Sequence, residues 1–403
     1  MNVVLIERGQ AAGSKNVSGG LLYSKPVHEI FPNFWENAPV ERVITTHQIA
    51  MLSEGSSVGL DFRSEESAKP AYNAFSVLRA RFDPWLAQQA EDAGAAFIPG
   101  VTTDALKVEN GRVVGIQAGP DEISADVVVI AEGTRSLLLQ QAGLREEHHP
   151  HDVSLGIKEV ITLPEKVIEE CFQCGQETGA AYTFVGQTCG IEGGGFLYTH
   201  RASLSVGLVV KIDSLYKSKM QPHQVLDVFK SHPLIARLLV GGEAVEYSAQ
   251  TVHRGGYHLA SRRYGNGYVV VGSAARLLLN NIVTLRGMDF AGVSGAQAAS
   301  AILSARESGG YMAENLAGYA ERLKATAIYN DWQLFKDMYP LLENERLFTL
   351  YPDLACRTLE TLFSPSLQPG TKLLYSLREQ MKGKGSMLTL AKDMFQIARG
   401  VVL

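Results

Sequence analysis

The chain has 403 residues, of which 46% are hydrophobic and 20% charged, with a formal net charge of -5. At roughly 150 residues per domain this predicts two or three globular domains with a sizeable core and excludes a disordered chain. The mildly acidic balance gives no support to nucleic acid as a partner, four cysteines in so long a chain point to a reducing, cytoplasmic setting, and no apolar run approaches the about 18 residues that span a bilayer.

Residues 2–6 predict a short buried strand that ends at Glu7-Arg8-Gly9, with no secretory signal before it. A Gly/Ser-rich loop follows, Gly13-Ser14-Lys15-Asn16-Val17-Ser18-Gly19-Gly20. Residues 84–93 predict a helix, with Asp83 as N-cap, Pro84 in the first position and Gly94 just past the end. A strand is expected at 96–98. Ala105–Val108 and Val113–Gln117 form a hairpin about Asn110-Gly111, because both turn residues tolerate positive φ. Val127–Ile130 is a continuous apolar strand of the kind covered on both faces. Beyond a His-rich crossing at 145–152, strands are expected near 157–162, 181–185, 195–199 and 203–211, with a helix near 222–231. Tyr268–Gly272 predicts a further buried strand, then a small-residue helix to about 305 and a helical tail from 311.

This order predicts an α/β fold: a Rossmann-like dinucleotide-binding domain (1–150 and 261–310) with an inserted mixed α+β substrate domain (151–260) and a helical C-terminal region (311–403). An acid closing a strand, such as Glu7, can bind both hydroxyls of an adenosine ribose, about 20 residues after a G-x-G-x-x-G turn. That turn occurs nowhere in the 403 residues. The domain is therefore expected to lack its first βα unit, with about 20 further in-frame residues upstream carrying it. Small residues after a strand, as in Ala131-Glu132-Gly133-Thr134-Arg135-Ser136 and Gly272-Ser273-Ala274-Ala275, let a backbone approach a cofactor. The helix start near Arg286-Gly287-Met288-Asp289 can stabilise negative charge.

Taken together, Gly13–Gly20, Val77-Leu78-Arg79 with Phe82-Asp83, Gly156-Ile157-Lys158-Glu159-Val160, Gly194–Thr199, Arg286-Gly287-Met288-Asp289 and Asn344-Glu345-Arg346-Leu347-Phe348 with Tyr351-Pro352 resemble FixC-like electron-transfer-flavoprotein:quinone oxidoreductases. The resemblance spreads over nearly the whole chain. It implies a glutathione-reductase-like FAD fold and an oxidoreductase passing electrons from an electron-transfer flavoprotein through FAD to a quinone or a ferredoxin-like protein. It places Glu7 and Arg8 at the adenosine ribose, Lys15, Asn16, Val17, Ser18, Gly19 and Gly20 along the isoalloxazine, and Arg79 near the ribityl phosphate. Thr103 falls at the adenine edge, Gly272 and Ser273 at the ribityl chain, and Arg286, Gly287 and Met288 at the pyrimidine ring. Two positions depart from the family pattern Gly-Asp-Ala-Ala-Gly: Ser273 replaces its aspartate and Arg276 its last glycine. Two other functions remain open at this stage, a flavin-free scaffold and a flavin-dependent reductase or hydroxylase of a lipid-like or aromatic substrate.

Cys171-x-x-Cys174 is a lone pair and predicts no cluster or metal site, and His148–Asp152 reads as a solvated loop. The segment after Ser386 has a broad apolar face, with Lys382, Lys384, Lys392 and Arg399 about it. It either docks on the protein's own core or meets a partner or the inner face of a membrane.

Overall fold

A computed structural model describes residues 1–17, 19–145, 149–254, 257, 262–364 and 372–401. Along the chain, β1 (Val4–Glu7) and β2 (Gly20–Tyr23) precede β3 (Val40–Leu52), β4 (Ser57–Arg63) and β5 (Ala74–Val77). After the helix Arg79–Asp92 come β6 (Ala96–Pro99), a meander of β7 (Ala105–Glu109), β8 (Arg112–Ala118) and β9 (Asp121–Ser124), and then β10 (Val128–Ile130). Next are β11 (Val153–Thr162), β12 (Thr178–Gly186), β13 (Gly193–Thr199), β14 (Ser203–Lys211) and β15 (Glu243–His253). β16 (Tyr264–Gly265) and β17 (Tyr268–Val270) lead to the helix Met288–Glu307 and the helical tail.

The largest sheet has nine strands, ordered β15-β11-β14-β13-β12-β3-β5-β2, with β4 paired to β3. It draws on residues before and after 150, because β3 runs parallel to β12 from Val43↔Thr178 to Leu52↔Gly186. Alternation then sorts side chains to two faces. Ile157, Leu197, Val206 and Leu208 point into a core shared with Phe172, Val225 and Phe229 of the covering helices. Lys158, Phe196, Tyr198 and Ser205 take the opposite face, as the registers Lys158↔Gly207, Phe196↔Gly207 and Tyr198↔Ser205 require. Two parallel pairs stand apart from this sheet, β1 with β6 and β10 with β17. Val3, Val4 and Leu5 on the first pair, and Val129 on the second, are exposed.

The Asn110-Gly111 hairpin forms with both turn residues at positive φ. The expected helix 222–231 is Pro222–Ser231, with a reciprocal capping box between Gln221 and Gln224. The helix expected at 84–93 begins five residues earlier, at Arg79, and Asp83 is not its cap. Arg79 grips Asp83 one turn on, Nε to Oδ1 at 2.5 Å, so the carboxylate is committed to a side chain. Pro84 lies inside the helix. Its missing N–H leaves only the carbonyl of the exposed Ala80 without a helical partner.

The tail settles on its own core. Met387, Leu390 and Ile397 of the helix Met387–Val401 pack against Met338, Leu341, Tyr351 and Met381, while Leu388 and Phe395 stay exposed. Asp393, nearly fully buried, accepts from Arg346 Nε at 2.7 Å and from the Tyr351 hydroxyl. Lys382 pairs with Glu379 at 2.7 Å and Lys384 with Asp353 at 3.6 Å, so two of the four basic side chains already have acidic neighbours. Among the described residues no helix is long and apolar enough to cross a membrane.

The Arg346 and Tyr351 hydrogen bonds hold the Asp393 carboxyl at about 2, below its ordinary value. A carboxyl depressed on folding contributes stability above its unfolded value, and that contribution disappears as pH falls from about 4 towards 2. Asp393→Asn is expected to cost about 1–3 kcal/mol in urea unfolding at pH 7, by removing the negative charge that strengthens both hydrogen bonds, and much less at pH 2. An equal cost at both pH values would contradict the assignment.

Candidate functional site

The C-terminal end of the β1–β6 pair gathers the first group. Glu7 Oε1 accepts from Gly9 N at 2.6 Å, and Val101 N donates to Glu7 O at 3.1 Å. Thr103 follows two residues later and is half-buried, while Arg8 is exposed. Glu7, Arg8 and Thr103 therefore share one edge of the fold.

The glycine-rich loop then lies on the start of the Arg79–Asp92 helix. Gly13 has φ +81, and a Cβ there would sit 2.8 Å from the Arg79 carbonyl oxygen, so only glycine lets the loop lie this close. Asn16 Nδ2 donates to Asp83 Oδ2 at 2.6 Å and Arg79 Nη2 to the same oxygen at 2.7 Å. Lys15 is exposed and Val17 half-buried. Ser18 lies outside the described residues, as does His148.

The third group surrounds the N-terminus of the helix Met288–Glu307. A Cβ on Gly20 would lie 3.1 Å from Met288 Cε, so the loop and this helix start meet. The Arg286 guanidinium stacks over the Tyr23 ring at 5.2 Å and pairs with Asp289 at 2.7 Å and Asp331 at 2.6 Å. Burial raises the Asp289 carboxyl even against the pull of Arg286. Tyr23 is pushed up to about 12, chiefly by burial, with Arg286 opposing. Gly272 (φ +59) opens the turn after β17 and its N–H donates to Ser294 Oγ at 2.9 Å. Ser273 is half-buried in this turn, and Arg276 closes it at φ +59. Left-handed backbone costs a non-glycine residue about 1–2 kcal/mol, so the arginine stands where a glycine would be unstrained.

Sequence reasoning assigned no role to the floor beneath the loop. Lys158, 2% exposed, donates from Nζ to the Gly19 carbonyl at 2.6 Å. Beside it His200 Nε2 and Ser205 Oγ share a hydrogen bond of 2.8 Å. Burial, then Lys158 and Arg42, push the imidazole down to about 3, so it is neutral. The available signal was a lysine inside a strand rich in Val, Leu and Ile, where a buried amine needs a hydrogen-bond partner. Among the described residues no group of His, Cys, Asp and Glu could hold a metal.

Residues 153–252 match the family model described as ETF-QO, ubiquinone-binding, and residues 338–401 the model of the ETF-QO/FixC family C-terminal domain. The chain is 40% identical over 394 residues to a probable electron transfer flavoprotein-quinone oxidoreductase, YdiS, of Escherichia coli K12, covering 98% of this chain and 92% of that protein. It is 40% identical over 363 residues to the same organism's protein FixC, covering 90% and 85%. Among solved structures it is similar to a geranylgeranyl bacteriochlorophyll reductase-like protein from Thermoplasma acidophilum, with TM-score 0.69, 20% identity and coverage of 98% and 93%. It is also similar to the flavin-dependent brominase Bmp2, with TM-score 0.65, 14% identity and coverage of 100% and 88%. These two likenesses establish the α/β fold with its curled sheet.

The Arg286–Asp289 pair yields a prediction. Arg286→Met leaves a buried carboxylate without its cation and is expected to cost about 3–5 kcal/mol. Adding Asp289→Asn should restore a large part of it. Equal stability of the single and double variants in urea unfolding would show that the pair does not hold the helix start.

Proposed function

The chain belongs to the electron transfer flavoprotein-quinone oxidoreductase/FixC family, and from that premise we propose that it passes electrons from an electron-transfer flavoprotein through FAD to a quinone or a small ferredoxin-like protein. The observation that carries this is a run of close approaches: Gly19 lies over His200 and Ser205, Gly20 meets Met288, and Gly272 meets Ala291 and Ser294 of the helix Met288–Glu307, with Ser205 on the sheet β11–β15. That sheet is the stretch matched by the ubiquinone-binding model.

The chain's residues fit a flavin ring better than they fit its pyrophosphate. On the ring side, the absence of a side chain at Gly20 lets the loop lie against Met288. Arg286-Gly287-Met288 supply a helix start whose dipole favours negative charge. Gly272 and Ser273 offer a glycine turn and a hydroxyl to a polyol chain, and Lys15, Asn16, Val17 and Gly19 belong to the loop that Asn16 ties to Asp83, the partner of Arg79; Ser18 is assigned to the flavin by the family resemblance alone. On the adenosine side, Glu7, Arg8 and Thr103 offer a carboxylate and backbone groups. For the pyrophosphate, the sequence holds no G-x-G-x-x-G. Bound flavin supplies the redox chemistry, and the protein positions it and tunes its potential. No acid–base residue is assigned.

A ferredoxin-like acceptor is proposed to dock at 311–403, where Lys392 and Arg399 favour an acidic partner. The exposed Leu388 and Phe395 leave peripheral membrane contact as the alternative role of this face.

Charge-assisted hydrogen bonds contribute about 1.5–3 kcal/mol each. Without a pyrophosphate cradle, the 403-residue chain is expected to lose FAD on gel filtration. Purification as a yellow protein with stoichiometric FAD would contradict this. With FAD in excess, the protein is expected to reduce a short-chain ubiquinone when a reduced electron-transfer flavoprotein is the donor. Turnover of an aromatic or lipid substrate without any protein donor would overturn the electron-transfer reading.

A further inference from the structure

The Lys158 amine has a setting that the proposed function does not use. Its strand is covered on one face by the apolar core of the helices and on the other by the glycine-rich loop. Among the described residues no carboxylate lies within ion-pair distance of its Nζ, and its hydrogen-bond partner is the backbone oxygen of Gly19 at 2.6 Å. Gly19 has φ +73, and a Cβ on it would fall 3.1 Å from His200 Nε2 and nearer still to Ser205 Oγ. The loop backbone therefore rests flush on three polar side chains, and it cannot shift inwards.

We propose that Lys158 is a proton-sensitive latch: as a neutral amine it holds the Gly19 carbonyl and keeps the Gly19–Gly20 backbone closed over its strand, and when protonated it favours an opened backbone that admits water to the ammonium. The physical basis is that a buried cation without a counter-charge is costly, and hydration offsets that cost. Burial holds the Lys158 amine down to about 7 in the closed structure. Glu246 of β15 pulls it upward and Arg79 of the adjoining helix pushes it downward. His200 is neutral and supplies no counter-charge. An opened, hydrated lysine returns towards about 10.4. Protons therefore bind the open loop more tightly, so acidification from pH 10 to 7 opens it and rising pH closes it. Negative charge placed beside the loop would favour the protonated amine without requiring the loop to open. That the latch serves the flavin-side loop rests on the reading above, but the latch itself is a property of the chain alone.

The test needs no flavin. Backbone hydrogen exchange of residues 19–23 would be followed between pH 7 and 9.5 in the 403-residue protein, corrected for the intrinsic rate. Protection is expected to rise with pH by up to about tenfold per unit, the limit for one coupled proton. Lys158→Gln keeps a neutral donor and should stay protected with no pH slope. Lys158→Arg is always charged and should stay unprotected. Carbon-13 NMR of lysine Cε should show one resonance, missing in Lys158→Gln, that titrates near 7. A parent-like pH slope in Lys158→Gln, or a Lys158 resonance titrating above 9.5, would overturn the proposal whatever the protein's reaction.

Discussion

One buried guanidinium holds together the sheet on which the candidate site stands. Arg42, 1% exposed, donates to the carbonyls of His200 at 2.8 Å, Gly175 at 2.5 Å, Thr178 at 3.0 Å and Arg201 at 3.0 Å. It thereby ties β3 to the start of β12 and to the turn between β13 and β14. A buried charge survives only with such a set of charge-assisted hydrogen bonds. Arg42 braces one end of the parallel β3–β12 ladder that joins the early strands and those after 150 into a single sheet, and this sheet delivers the loop before β2 to the face of β11 and β14.

Strand alternation does the rest. On one face it gives an aliphatic and aromatic core, and on the other Lys158, Ser205, Phe196 and Tyr198. Gly207, opposite both Lys158 and Phe196, has no room for a side chain, since a Cβ would lie 2.6 Å from Phe196 Cζ. Packing and polar chemistry are thus two sides of the same strands, and a one-residue slip in register would exchange them.

Much of the fold was legible where a local rule acts alone. The Asn110-Gly111 turn and the Pro222 helix start depend on positive φ and on capping. Strands such as 203–211 announce themselves by length and β-branched content. β3 was not legible, because Glu41 and Arg42 look like surface residues and their burial depends on partners more than 130 positions away. The start of the helix at Arg79 was hidden for a similar reason: Asp83 and Pro84 make a good local cap, and a long-range bond from Asn16 helps to commit Asp83 elsewhere. The proposed cofactor residues were found through small residues after strands and through family resemblance. Lys158 was part of a family-like motif but had no role in it, because only the fold brings Gly19 above it.

The central claim is that the loop 13–20, the turn 272–276 and the start of the helix Met288–Glu307 form one flavin-binding surface. Hydrogen exchange in saturating flavin, with occupancy fixed by equilibrium dialysis, tests it directly. The account predicts new protection confined to residues 13–23, 272–276 and 284–290. Bound flavin that protects other segments and leaves these three unchanged would contradict it.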